Sequence, residues 1–122
     1  MIDHLALEVS DVARSRAFYE TLLAPIGLSA AYSDGTAVGF ADEEHAPFWI
    51  LPASVAGDRE LHIAFAAASR DVVRQFRDAA FALGAEILHE PRLFPEYGRC
   101  YYGCFVRDPD GHNIEAVCRG DE

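Results

Sequence analysis

Residues 2–9, IDHLALEV, alternate cleanly: Leu5, Leu7 and Val9 fall on one face, and His4, Ala6 and Glu8 on the other. That period of two predicts a half-buried strand. The period then lengthens. Ser10 or Asp11 is placed to cap a helix whose stripe is Phe18, Leu22 and Ile26, widened by Ala17, Tyr19 and Leu23, and Pro25 with Gly27 closes it. Three short strands follow, over 28–32, 37–41 and 47–51, with a turn at Ser33, Asp34 and Gly35.

A connector over 55–59, containing Gly57, leads into the same pattern a second time. Residues 60–67 alternate with Leu61, Ile63 and Phe65 on one face and His62, Ala64 and Ala66 on the other. Ser69 or Asp71 suits the N-cap of a second helix with the stripe Val73, Phe76, Ala80 and Leu83, and Gly84 suits its C-terminal exit. A strand over 86–89, a long loop with Pro91 and Pro95, and strands over 101–107 and 113–118 complete the chain. His4 and His62, Phe18 and Phe76, and Gly27 and Gly84 recur at nearly one offset, so the sequence is an internal repeat. The expected fold is α+β: two βαβββ modules, 1–56 and 57–122, in a single domain whose mixed sheets curl around a concave cleft.

Composition narrows the function. Of the 122 residues, 51% are hydrophobic, but they are scattered, with no run near the roughly 20 needed to cross a bilayer. The first residues carry acids and no basic segment of the secretory kind, which points to a cytoplasmic protein that does not engage membranes. Twenty acidic against ten basic residues give a net charge of −10 and argue against nucleic acid as a partner. Cys100, Cys104 and Cys118 are odd in number and lack zinc-site spacing, so they read as reduced thiols.

Chemistry concentrates at the end. Asp108, Pro109, Asp110 and Gly111 form a turn, and the strand after it places Asn113, Glu115 and Val117 on one face, with Ile114, Ala116 and Cys118 on the other. Glu115 is a carboxylate among small and apolar residues, where a charge needs a partner. A lone histidine in a strand is more often a hydrogen-bonded side chain than a ligand. Yet His4 and His62 hold matching places in the leading strands of the two modules, each beside alanines. With Glu115 they would make a facial set of two imidazoles and one carboxylate, suited to a divalent metal such as Fe, Mn, Ni or Zn with positions left open.

The segments IDHLALEVSDVARSRAFYETLLAPIG, LHIAFAA and FVRDPDGHNIEAV resemble the vicinal oxygen chelate superfamily, the glyoxalase, bleomycin-resistance and extradiol-dioxygenase group, over essentially the whole chain. The resemblance implies metal ligands on the first strand of each module and on the last strand, which carries over to His4, His62 and Glu115. Glyoxalase I adds a glutamate from the last strand of its first module, where this chain has Trp49 and Ile50. A three-ligand set is closer to the extradiol dioxygenases or the metal-dependent thiol transferases. The resemblance also implies a homodimer.

The stretch 90–103, EPRLFPEYGRCYYG, has the composition of a ligand-contacting loop. Tyr97, Tyr101 and Tyr102 are candidate catalytic donors, and Arg92 and Arg99 candidates for holding an anionic substrate. Trp49 is a candidate wall residue. Two functions are expected of such a chain: a divalent-metal-dependent enzyme (dioxygenase, lyase, isomerase or thiol transferase) acting on a small oxygen-chelating substrate, or a metal-free protein of the bleomycin-resistance type that sequesters a small molecule.

Overall fold

The computed structural model describes residues 2–44, 46–53 and 60–121. The connector expected over 55–59 lies outside them. The chain divides into two compact units, Met1–Arg59 and Glu60–Glu122.

Unit 1 runs β1 (Leu5–Val9), α1 (Val12–Leu23), β2 (Ser29–Asp34), β3 (Ala37–Ala41) and β4 (Phe48–Pro52). The sheet order is β1-β4-β3-β2, with β1 parallel to β4 and the remaining pairs antiparallel. Leu7, Val9, Phe40, Phe48 and Ile50 point to the helix side and are buried with Tyr19, Leu22 and Leu23 of α1. Asp11, not Ser10, caps α1, its carboxylate accepting from the Arg14 amide at 3.1 Å. The helix buries Ser15 where the expected stripe has Ala17, which is exposed, and Ile26 falls in the turn beyond the helix end. His4 sits just ahead of β1 and not within it. The neighbouring β4 begins at Phe48, opposite Leu5, and offers no ladder to earlier residues.

Unit 2 repeats the plan: β5 (His62–Ala66), α2 (Arg70–Ala82), β6 (Ile87–Leu93), β7 (Tyr102–Arg107) and β8 (Asn113–Cys118), in the order β5-β8-β7-β6. Ser69 caps α2 by accepting from the Val72 amide, and Gly84 leaves it with φ +73°. Val73, Phe76 and Ala80 are fully buried on the side of β6, β7 and β8 that α2 covers. One expectation is corrected: β6 does not stop at His89 but continues through Pro91 to Leu93, with two irregularities in its pairing to β7. Because β6 is an edge strand, the amide that proline lacks is not needed by a second neighbour. No helix among the described residues is long and apolar enough to cross a membrane.

Candidate functional site

The last turn and strand hold the site together. Asp108 accepts from the amides of Asp110 and His112, and His112 Nδ1 accepts from the Leu61 amide at 3.0 Å. His112 therefore ties the β7–β8 turn to the start of β5. Arg107 adds a bond to the Gly111 carbonyl and an ion pair with Glu60 at 2.6 Å. The result is a fixed parallel register in which His62 lies opposite Asn113 and Ala64 opposite Glu115.

On the open face of this sheet Glu115 is 1% exposed. An ionised carboxylate so placed would cost several kcal/mol without partners. It has two. Oε1 lies 3.0 Å from His62 Nε2, and Oε2 accepts a short hydrogen bond from the Tyr101 hydroxyl. Gly103 makes room for the carboxylate, since a Cβ there would stand 3.2 Å from Oε2. His62 stacks on Phe105, with ring centroids 5.7 Å apart and planes 17° apart. Burial, and then the bond to Glu115, push the Tyr101 phenol up to about 12, so at neutral pH it is a protonated donor.

These groups line an open cleft of about 650 Å³, which Glu96, Tyr97, Asn113 and Arg119 also border. Phe94, buried behind it, stacks on Tyr97 and meets Tyr101 and Phe105 edge-on. Of the residues singled out from sequence, His62, Glu115, Tyr97 and Tyr101 come together here. Tyr102 does not: one step along the strand it turns to α2, where Arg70 and Arg74 lie over its ring and Arg74 donates to its hydroxyl. Arg99 borders an adjoining lobe. Arg92 lies over the Phe94 ring at 3.7 Å and donates to the Leu93 carbonyl.

His4 and Trp49 belong to unit 1. His4 is exposed, its Nδ1 2.8 Å from Asp3. Trp49 lies flat over Gly39 with Tyr32 beside it. Among the described residues no three His, Cys, Asp or Glu side chains form a group that could hold a metal ion. Cys100, Cys104 and Cys118 form no disulfide among the described residues, and the last two are buried. Sequence reasoning passed over Phe105, Asn113, Glu96 and Arg119. For Phe105 the signal was present, because it alternates in step with Tyr101 and pairs with Glu115.

Comparison with known proteins places this arrangement in context. The chain superposes on a glyoxalase/bleomycin resistance protein from Albidiferax ferrireducens with a TM-score of 0.80 and 25% identity, covering 95% of this chain and 97% of that one. A lactoylglutathione lyase from Agrobacterium tumefaciens shares the fold at TM-score 0.69 and 20% identity, over 97% and 92% of the two chains. A glyoxylase/bleomycin resistance protein/dioxygenase domain from Frankia does so at TM-score 0.76 and 16% identity, over 97% and 96%. No curated protein matches the sequence. A family model, however, matches residues 1–116, nearly the full length, and by it the chain belongs to the Glyoxalase/Bleomycin resistance protein/Dioxygenase superfamily.

Proposed function

We propose that this chain is a divalent-metal-dependent enzyme acting on a small oxygen-bearing molecule, with His62 and Glu115 as two of the metal's ligands. What carries the reading is the edge between His62 Nε2 and Glu115 Oε1. The two atoms lie 3.0 Å apart, so an imidazole nitrogen and a carboxylate oxygen already converge on one point of the cleft, where a divalent cation would take the place of the hydrogen bond between them. The donor set is one imidazole nitrogen and one carboxylate oxygen, and the other carboxylate oxygen is oriented by Tyr101, as ligands of catalytic metals commonly are. Iron, manganese, nickel and zinc all accept such donors.

A cation held there would act as a Lewis acid toward the substrate's oxygens. The chain's own groups do the rest. Tyr101, with its proton held to about 12, serves as a positioning donor that fixes Glu115 rather than as an acid that gives its proton away. Tyr97, 59% exposed at the cleft border, presents the phenol available to a bound molecule. The aromatic wall of Phe94, Tyr97 and Phe105 excludes water from one side of the ligand. A homodimer working in the cytoplasm completes the proposal, and free cysteines suit that reducing setting.

A second reading has its own support: both oxygens of Glu115 already have hydrogen-bond partners within the chain, so the carboxyl group is satisfied without a cation. The cleft would then bind a small molecule without chemistry. Elemental analysis of the purified protein beside His62→Ala and Glu115→Gln separates the two. One equivalent of a divalent metal, lost in both variants, is the expected result. Wild-type protein that takes up no metal, even after dialysis against Fe, Mn, Ni and Zn in turn, would leave the binder.

A further inference from the structure

The cleft does not stand alone. A lobe of about 430 Å³ adjoins it, bordered by Gly98, Arg99, Cys100 and Asp121, and Tyr101 and Arg119 belong to both. Its charge is unlike that of the rest of the molecule. Acids outnumber bases twenty to ten in this chain, and most described arginines near an acid use it: Arg16 pairs with Glu20, Arg74 with Asp71, Arg77 with Glu90 and Arg107 with Glu60. Arg99 and Arg119 form no ion pair among the described residues. The acid of the lobe, Asp121, accepts instead from the Cys100 thiol at 2.9 Å.

The Cys100 thiol is pushed up from its usual range by its bond to Asp121 and then by burial, with Arg99 and Arg70 opposing. Arg119 is held by the Tyr101 ring, with its guanidinium carbon 4.8 Å from the ring centroid. Stacking fixes the plane of the guanidinium and leaves its donor edges open, which is the presentation that recognises a planar carboxylate. Along the combined groove Glu96 and Glu115 stand with His62, Arg99 stands in the lobe beside the Asp121–Cys100 pair, and Arg119 borders both.

We propose that the arginine lobe holds the carboxylate of a small carboxylic acid whose apolar body lies along Tyr97 and Tyr101 and whose other polar end reaches the His62–Glu115 edge. This names a substrate class for the cleft and rests on its being the working site. Nothing in the lobe itself requires a metal. Arg119 becomes the residue that sets specificity, with Arg99 in support.

The test uses benzoate and its uncharged counterpart benzamide, titrated into the full-length protein as purified and followed by backbone amide shifts, with metal content measured on every sample. Benzoate should bind at least about fivefold more tightly than benzamide, with shifts centred on Gly98–Tyr101 and Gly120. Arg119→Gln should weaken benzoate roughly five- to tenfold, about 1 to 1.4 kcal/mol, and leave benzamide unchanged. Arg119→Lys should keep only part of the preference, and Arg14→Gln, an exposed arginine of α1, should alter nothing. Equal affinity for the two probes, insensitivity to both Arg119→Gln and Arg99→Gln, or shifts centred on His62 would overturn the proposal. Arginine-dependent binding in protein that takes up no metal even after dialysis against Fe, Mn, Ni and Zn upholds the lobe and removes the metal reading. Metal lost on His62→Ala, with benzoate indifferent to Arg119, does the reverse.

Discussion

At the scale of single residues, the site depends on how one buried carboxyl group finds its partners. Glu115 is met by an imidazole on one oxygen and a phenol on the other, with Gly103 leaving the space. Tyr101→Phe removes the phenol donor from a buried charge, and a cost on the order of 2 kcal/mol follows. The pH dependence has a definite sign. The folded state raises this phenol from 10.0 to about 12, so it favours the protonated form. Its contribution is whole below pH 10 and is lost as pH rises through about 12. Tyrosinate absorbance should show a component titrating near pH 12 that is absent from Tyr101→Phe, and a titration identical in the two proteins would mean that Tyr101 is not held by Glu115. Much of this was legible in the sequence. Glu115 stood out as an acid among apolar neighbours, and His62 followed from the repeat. Tyr101 and Tyr102 both stood as candidate donors, although adjacent residues of a strand face opposite sides and only one of them can line the cleft. Arg119 was not legible, because it lies past the last strand, where no periodicity assigns a side chain to a face.

At the scale of elements, the registers of the two sheets reveal what the repeat conserved in geometry and changed in chemistry. In unit 2 a row crosses the sheet as Ala64, Glu115, Phe105 and His89; in unit 1 the matching row is Ala6, Trp49, Gly39 and Tyr32. Trp49, and not Ile50, thus occupies the place of Glu115, while Ile50 is wholly buried on the helix side. Sequence left that pair unresolved because a one-residue change of register swaps the faces. The strand through Pro91 was missed for a related reason: proline argues against a central strand, and nothing local says that β6 lies at an edge. Small neighbours explain how the indole fits. A Cβ on Gly39 would meet three Trp49 ring atoms at 2.8–2.9 Å, so Gly39→Ala should lift the indole off the sheet. Since Trp49 is the one tryptophan of the sequence, its emission reports directly. A red shift and a stability loss of about 1 kcal/mol are expected. An unchanged spectrum would mean that the ring does not rest on that glycine.

For the whole molecule, charge is the property that bears on function. A net charge of −10 on 122 residues, with every basic residue an arginine, surrounds the chain with a negative potential that draws in divalent cations and repels anions from all but the arginine lobe. The carboxylate of Glu115 is buried, so the proposed contact with a cation there would be poorly screened by salt, whereas the long-range attraction is screened strongly. Raising ionic strength from 0.01 to 0.15 M shortens the screening length from about 30 to about 8 Å and removes most of that attraction. If the mean potential at the cleft falls by about one thermal unit, a doubly charged ion loses roughly sevenfold in affinity. The dissociation constant of the divalent metal, measured by competition with a chelating dye in a non-coordinating salt, should therefore weaken severalfold across this range. His62→Ala should weaken binding at both salt concentrations while keeping the same salt dependence, because the field belongs to the whole chain and the ligand does not. Affinity that ignores salt would assign binding to local contacts alone, and affinity that strengthens with salt would contradict an attractive field at the cleft.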